Sequence, residues 1–176
     1  IMLRRGEALV QYLKERPEKQ FTMLDCHDGL PIMPDLNGIV EPEEAQTVVN
    51  LCLTRGSNVS KVYSAAHKTA DGFDVHQVRG TIYSMLGEDD DDYIIARAIQ
   101  LFTPGIPQVY YVGLLAGTNQ YQCAEQTGDG REINRYNYSI EEVNAALERN
   151  VVQRLIRLIR FRNEHQSFEG TFSAES

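Results

Sequence analysis

Phe21-Thr22-Met23-Leu24-Asp25-Cys26-His27-Asp28-Gly29 is the stretch on which the reading of this chain turns. Its first four residues form a short, mostly apolar run with strand character. Two carboxylates and an imidazole follow at once, and then a glycine. A strand is a stiff platform whose carboxyl end is an open rim, the place where (β/α)₈-barrel enzymes carry their chemistry. An Asp-x-x-Asp spacing also suits an ordinary turn, so the rest of the chain must arbitrate.

Upstream, Leu3 to Lys14 predicts a helix with Leu3, Leu9, Val10 and Leu13 mostly on one face and Pro17 beyond its end. Downstream, Pro31, Pro34 and Gly38 break the chain from Gly29 to Asn37 into a loop. Glu41-Pro42-Glu43-Glu44 opens a helix to Thr54 that turns Val48, Val49, Leu51 and Cys52 inward, since proline and early acids suit a first turn. Gly56 to Gly80 lacks a sustained apolar period and reads as excursion loops. The acids of Glu88 to Asp92 lead a further helix, predicted to bury Ile94, Ile95, Ala98, Ile99 and Phe102. They lack the spaced ligands and turn glycine of a calcium loop. Thr103-Pro104-Gly105-Ile106-Pro107 ends that helix, and Gln108 to Val112 predicts a second buried strand. Helix, break and strand make the αβ unit of a parallel sheet.

Ser139-Ile140-Glu141-Glu142 has the spacing of a capping box. Val151 to Asn163 is amphipathic, with Val151, Val152, Leu155, Ile156 and Ile159 inward and Arg154, Arg157, Arg160 and Arg162 on a solvated face. Phe168-Glu169-Gly170-Thr171-Phe172 alternates like a strand. Two strands with alternating helices cannot close a barrel. The expected fold class is therefore α/β, the C-terminal part of a (β/α)₈ barrel with an inserted loop subdomain and the start of a C-terminal β domain.

Composition narrows the function. With 176 residues the chain can bury one core but falls short of the roughly 250 of a complete barrel. A net charge of −8 argues against a nucleic-acid groove. No apolar run approaches the roughly 18 residues that span a bilayer, so no membrane partner is expected. Ile1-Met2-Leu3-Arg4-Arg5 leads into no long apolar core or small-residue cleavage site, which argues against a secretory signal. Three cysteines, Cys26, Cys52 and Cys123, without a CxxC pairing fit free thiols in a reducing cytoplasm better than a disulfide scaffold or zinc site.

Leu24-Asp25-Cys26-His27-Asp28-Gly29 resembles the seventh-strand motif of the α-amylase superfamily, glycoside hydrolase family 13. Four further segments narrow the likeness. They are Tyr83-Ser84-Met85-Leu86-Gly87, Pro104-Gly105-Ile106-Pro107-Gln108-Val109-Tyr110-Tyr111-Val112-Gly113, Leu115-Ala116-Gly117, and Gly130-Arg131-Glu132-Ile133-Asn134-Arg135-Tyr136-Asn137-Tyr138. In this order and spacing they resemble the C-terminal region of the sucrose phosphorylase group, from Gly6 to about Ser173.

The resemblance implies residues 1–28 as the end of the barrel (helix 6 and strand 7) and 29–80 as an inserted acceptor-loop subdomain. Residues 81–166 become helix 7, strand 8 and helix 8, and 167–176 the start of a C-terminal β domain. It further implies a retaining phosphorylase. A fourth-strand carboxylate attacks the glucosyl carbon, a fifth-strand glutamic acid protonates the leaving oxygen, and phosphate takes the glucosyl group as α-glucose 1-phosphate. By resemblance Asp28 is the third acid, which holds the sugar hydroxyls and steadies the oxocarbenium-like transition state. His27 bonds the same ring, and Arg135 grips its far hydroxyls. Asp25 is assigned to supporting the loop, Tyr110 and Tyr111 to barrel core, and Cys26 to packing. Pairing of Arg135 with Glu132 at the surface is the competing reading. No metal or organic cofactor is implied; the partners are a sugar substrate and inorganic phosphate, with the remainder of the barrel if that is separate.

Phe73-Asp74-Val75-His76-Gln77-Val78-Arg79 departs from the family. Sucrose-specific members commonly carry a tyrosine before the glutamine and an asparagine two places after it, where this chain has His76 and Arg79. With Gln77 these residues are candidate substrate ligands, and an arginine pairs well with carboxylate or phosphate. An anionic acceptor is expected, glycerate first and a sugar phosphate second. An Arg79–Asp74 pair that fixes the loop is the competing reading. The segment alone is expected to be inactive. A non-catalytic remnant and a retaining hydrolase are the other function classes.

Overall fold

The first strand finds its partner far along the chain. The computed structural model describes residues 1–3, 6–32, 40–61 and 75–175. In it, β1 (Phe21–Met23) runs parallel to β5 (Ile106–Gln108), with Phe21 opposite Ile106 and Met23 opposite Gln108. Between them lies α4 (Asp90–Phe102), so β1, α4 and β5 form the anticipated parallel unit. Helix α1 (Glu7–Glu15) precedes β1.

The chain between β1 and α4 carries more order than its sequence suggests. Strand β2 (Leu30–Pro31), helix α2 (Pro42–Thr54), strand β3 (Asn58–Lys61) and strand β4 (Val75–Arg79) precede the short helix α3 (Ile82–Met85). Strands β2, β4 and β3 form an antiparallel sheet with β4 in the middle. The expected loops over Gly56–Gly80 are thus corrected at 58–61 and 75–79. Ser60 pairs with Gln77 and Lys61 with Val75, leaving His76 as the bulged extra residue. That bulge breaks the period of two that would have marked the strand. Phe73 and Asp74 lie outside the described residues, as do Pro34, Asn37 and Gly38, so the Arg79–Asp74 pairing falls there too.

After β5 come α5 (Tyr111–Leu114), α6 (Tyr121–Thr127), a 3₁₀ segment at Gly130–Asn134, α7 (Ile140–Leu147), α8 (Asn150–Glu164) and a 3₁₀ turn at Gln166–Glu169. The expected strand Gln108–Val112 is corrected: pairing ends at Gln108, and Tyr111 begins a helical turn. The strand anticipated at Phe168–Phe172 is instead a 3₁₀ turn followed by chain without regular structure or a strand partner among the described residues. The capping box of Ser139 and Glu142 forms as the sequence predicts.

Helix α4 corrects the expected core. Asp89 caps it, accepting from the Asp91 and Asp92 amides at 2.9 Å. Its buried face is Tyr93, Ala96, Arg97, Gln100 and Leu101, whereas Ile95, Ile99 and Phe102 are exposed. Polar side chains win that face because the carboxyl end of β1 requires them, as described below. The arginines of α8 are not uniformly solvated either. Arg154 pairs with Asp91 at 2.7 Å, and Arg162 donates to the Leu101 carbonyl at 2.9 Å and lies over the Phe168 ring. Helices α2, α3, α4 and α8 share the main core through Val49, Cys52, Met85, Tyr93, Val152 and Leu155.

One sheet face remains bare. Thr22 turns toward α4 and is buried, while Phe21, Met23 and Ile106 on the opposite face are 67%, 54% and 63% exposed. Among the described residues no helix is long and apolar enough to cross a membrane, and no cluster of His, Cys, Asp and Glu can hold a metal ion.

Candidate active site

The turn after β1 is fixed from behind and from one side. From behind, Arg97 of α4 reaches Asp25 with both forks, Nη1 to Oδ1 at 2.9 Å and Nη2 to Oδ2 at 2.6 Å. Asp25 thus supports the loop, as the sequence suggested. The Arg97 side chain is 0% exposed and Asp25 only 7%. Nη1 also donates to Gln100 Oε1, and Nη2 and Nε donate to the Tyr93 hydroxyl. Every Arg97 donor is therefore used, as a buried guanidinium requires. Burial opposes its charge, but Tyr93 and Asp25 outweigh that and hold its pKa above the ordinary arginine value. Burial pushes the Tyr93 hydroxyl up to about 12, so it is neutral at pH 7 and free to donate to the Gly113 carbonyl.

From the side, the 3₁₀ segment and the residue after it clamp the turn. Asn134 Nδ2 donates to the Cys26 carbonyl at 3.0 Å, and Arg135 Nε donates to the His27 carbonyl at 3.0 Å. Gly29, with φ +93°, lets the turn lie against β4: a side chain there would overlap the Val78 carbonyl and meet the Arg79 Cα at 2.9 Å.

The Asp28 carboxylate meets three basic side chains. Arg135 Nη2 lies 3.1 Å from Oδ1, Arg131 Nε 3.2 Å from Oδ1, and His27 Nε2 3.2 Å from Oδ2. The Asp28 side chain is 34% exposed, which leaves it open on one side. Arg135 also reaches Glu132 at 3.5 Å, so the pairing set out as the competing reading forms alongside its contact with Asp28.

Arg79 ends β4 behind this cluster. Asn58, its partner in register, donates to the Gly130 carbonyl at 3.0 Å. A side chain at Gly130 would meet Arg79 Nη1 and Asn58 Oδ1, each at 2.8 Å. Arg79 Nε is buried and has no hydrogen-bond partner among the described residues. Backbone bonding to Arg131 first, and then the Arg131, Arg135 and Arg79 charges, hold the Asp129 carboxyl below its usual range. The structure thus brings His27, Asp28 and Arg135 together, with Arg79 alongside. His76 is exposed and Gln77 half-buried on the same strand, and neither side chain bonds to the Asp28 cluster among the described residues.

Tyr110 and Tyr111 are corrected. Their hydroxyls donate to the Asn134 and Tyr136 carbonyls at 3.1 and 2.9 Å, and Tyr111 is exposed, so they brace the 3₁₀ segment and are not core. Two supports escaped the sequence reading. Arg131 had a signal, since it shares a helical spacing of four with Arg135. So did Arg97, which continues a polar stripe of Tyr93, Arg97 and Gln100 at helical spacing.

No family model matches the chain. Among curated proteins it is 56% identical to sucrose 6(F)-phosphate phosphorylase of Thermoanaerobacterium thermosaccharolyticum, over 97% of this chain and 35% of that protein. It is 44% identical to sucrose phosphorylase of Streptococcus mutans serotype c, over 93% of this chain and 33% of that protein. Glucosylglycerol and glucosylglycerate phosphorylases also match, the latter at 28% identity for Escherichia coli. The crystal structure of sucrose 6F-phosphate phosphorylase from Thermoanaerobacter thermosaccharolyticum superposes with a TM-score of 0.96 at 55% identity, covering 99% of this chain and 36% of that one. The chain thus spans about a third of the length of the relatives it matches. Over nearly its whole length it is homologous to the sucrose phosphorylase group.

Proposed function

We propose that the complete protein is a retaining α-glucoside phosphorylase that releases α-glucose 1-phosphate and an anionic acceptor. The observation that carries this reading is the Asp28 carboxylate held among Arg135, Arg131 and His27 beyond β1. A fixed carboxylate with one open side is built to hold sugar hydroxyls and to stabilise positive charge at the anomeric carbon. In this reading Asp28 does both, while His27 and Arg135 bind the glucosyl ring. The attacking carboxylate and the proton donor belong, by the family's pattern, to strands outside this segment. The uncovered Phe21, Met23 and Ile106 support such strands, because a barrel interior needs an apolar lining. The 176 residues by themselves are accordingly proposed to be inactive.

For the acceptor, Arg79 supplies a fixed cation beside the Asp28 turn, and Gln77 and His76 lie on the same strand. The 56% identity to a phosphorylase named for a sugar phosphate, against 28% to one named for glucosylglycerate, moves a phosphorylated ketose ahead of glycerate. The test uses the full-length protein with inorganic phosphate and sucrose 6-phosphate, sucrose or glucosylglycerate in turn. Phosphate-dependent glucose 1-phosphate, formed fastest from sucrose 6-phosphate, is expected. Free glucose at a rate indifferent to phosphate would make the protein a hydrolase.

A further inference from the structure

Asp25 comes three residues before Asp28, and everything that holds it lies on α4. Gln100 Nε2 donates to the Thr22 carbonyl of β1 at 3.1 Å and to the Gln108 carbonyl of β5 at 2.7 Å, while its Oε1 accepts from Arg97. Tyr93 accepts from Arg97 and donates to Gly113 of α5. One guanidinium therefore ties the ends of both parallel strands and the following helical turn to the carboxylate that begins the His27–Asp28 turn. There is no room for slack. A side chain at Gly113 would overlap both Arg97 Nη2 and Asp25 Oδ2.

We propose that Arg97 is a positioning residue for the chemistry: its forked pairing with Asp25 sets where the Asp28 carboxylate stands. This rests on the phosphorylase reading above. The turn has four other described hydrogen bonds on its backbone: the Asn134 and Arg135 bonds to the Cys26 and His27 carbonyls, the Gly29 amide bonded to the Cys26 carbonyl, and the Cys26 thiol donating to the Gly29 carbonyl. Two of these come from the 3₁₀ segment and its following residue, and two lie within the turn itself. The Arg97–Asp25 fork is the one that ties the turn to α4 and, through Gln100, to β1 and β5. A planar fork with two parallel bonds sets direction as well as distance, which a point charge does not. Misplacing a catalytic group by about 1 Å can cost roughly 100-fold in rate.

The decisive variant, in the full-length protein, is Arg97→Met combined with Asp25→Leu. It exchanges the buried pair for apolar groups, which often preserves stability. The expected result is a folded protein whose kcat for phosphorolysis falls by about 30- to 100-fold, with KM for phosphate within about threefold of the parent. Its crystal structure should show Asp28 displaced from His27 and Arg135. Should the double variant not fold, Arg97→Lys keeps the charge without the fork and is expected to lose about tenfold in kcat. Parent-like kcat in a folded variant, or an unmoved Asp28, overturns the proposal and leaves the pair a stabilising element only. If the parent itself makes no glucose 1-phosphate, the phosphorylase reading fails, and the position of Asp28 in the variant crystal still decides the role of Arg97.

Discussion

Arg79→Ala separates an anion-reading site from a generic sugar site. The Arg79 guanidinium has a buried Nε without a hydrogen-bond partner among the described residues, and its Nη1 sits beside Gly130, at the head of the segment that carries Arg131. A buried donor left unsatisfied costs about 1–3 kcal/mol, but the side chain as a whole is half-buried, so an incoming anion meets the rest of the guanidinium and not the sealed Nε. Bonds to charged groups contribute about 1.5–3 kcal/mol. Arg79 is half-buried, so solvent screens part of the interaction and places the loss in the lower half of that range. About 1.5–2 kcal/mol corresponds to a fall of roughly 10- to 30-fold in kcat/KM. The assay measures kcat/KM of full-length parent and variant for sucrose 6-phosphate and for sucrose at saturating phosphate. The phosphorylated substrate should lose 10- to 30-fold and the neutral one less than about threefold. Because the interaction is electrostatic, the parent's preference should also shrink with added salt. Equal losses for the two substrates would refute the reasoning and leave Arg79 as a brace of the Asn58–Gly130 contact.

Four other substitutions or treatments probe the rest. Asp28→Asn in the full-length protein should lower kcat by about 100- to 1000-fold with little change in thermal midpoint, because in the proposed function its charge acts on the transition state and its side chain is partly exposed. Gly113→Ala drives a methyl into the Arg97–Asp25 pair and should cost about 3–5 kcal/mol in urea unfolding. Gly128→Ala meets nothing within 4 Å and pays only its left-handed strain, about 1–2 kcal/mol. Burial pushes the Cys52 thiol up to about 11, so at pH 8 only about one molecule in a thousand carries the thiolate. Iodoacetamide followed by peptide mapping should therefore mark Cys26 and Cys123 and spare Cys52 until the protein is unfolded.

Local signals carried the reading where local physics decides. The capping box at Ser139 and Glu142, the acid-led start at Asp89 and the proline at the head of α2 satisfy their own helix ends and needed no tertiary knowledge. The cluster of His27, Asp28 and Arg135 was legible through resemblance, because Arg135 lies over a hundred residues from the other two. What failed was decided across the fold. Tyr93, Arg97 and Gln100 are buried because two strand ends and a carboxylate need donors, and that need is invisible along the helix itself. Tyr110-Tyr111-Val112 has strand propensity, yet Gly113 must approach Arg97 closely, and the turn that achieves this is helical. Strand β4 escaped notice because the bulge at His76 spoils its alternation.

The bare face of Phe21, Met23 and Ile106 has a practical consequence for anyone who makes this segment alone. Two short strands with open backbone edges and a greasy outer side invite other chains to dock, so the isolated piece should bind hydrophobic dyes and clump on concentration. Coexpression with a separate polypeptide carrying the strands proposed above should cure both habits, much as a split reporter regains solubility when its halves meet.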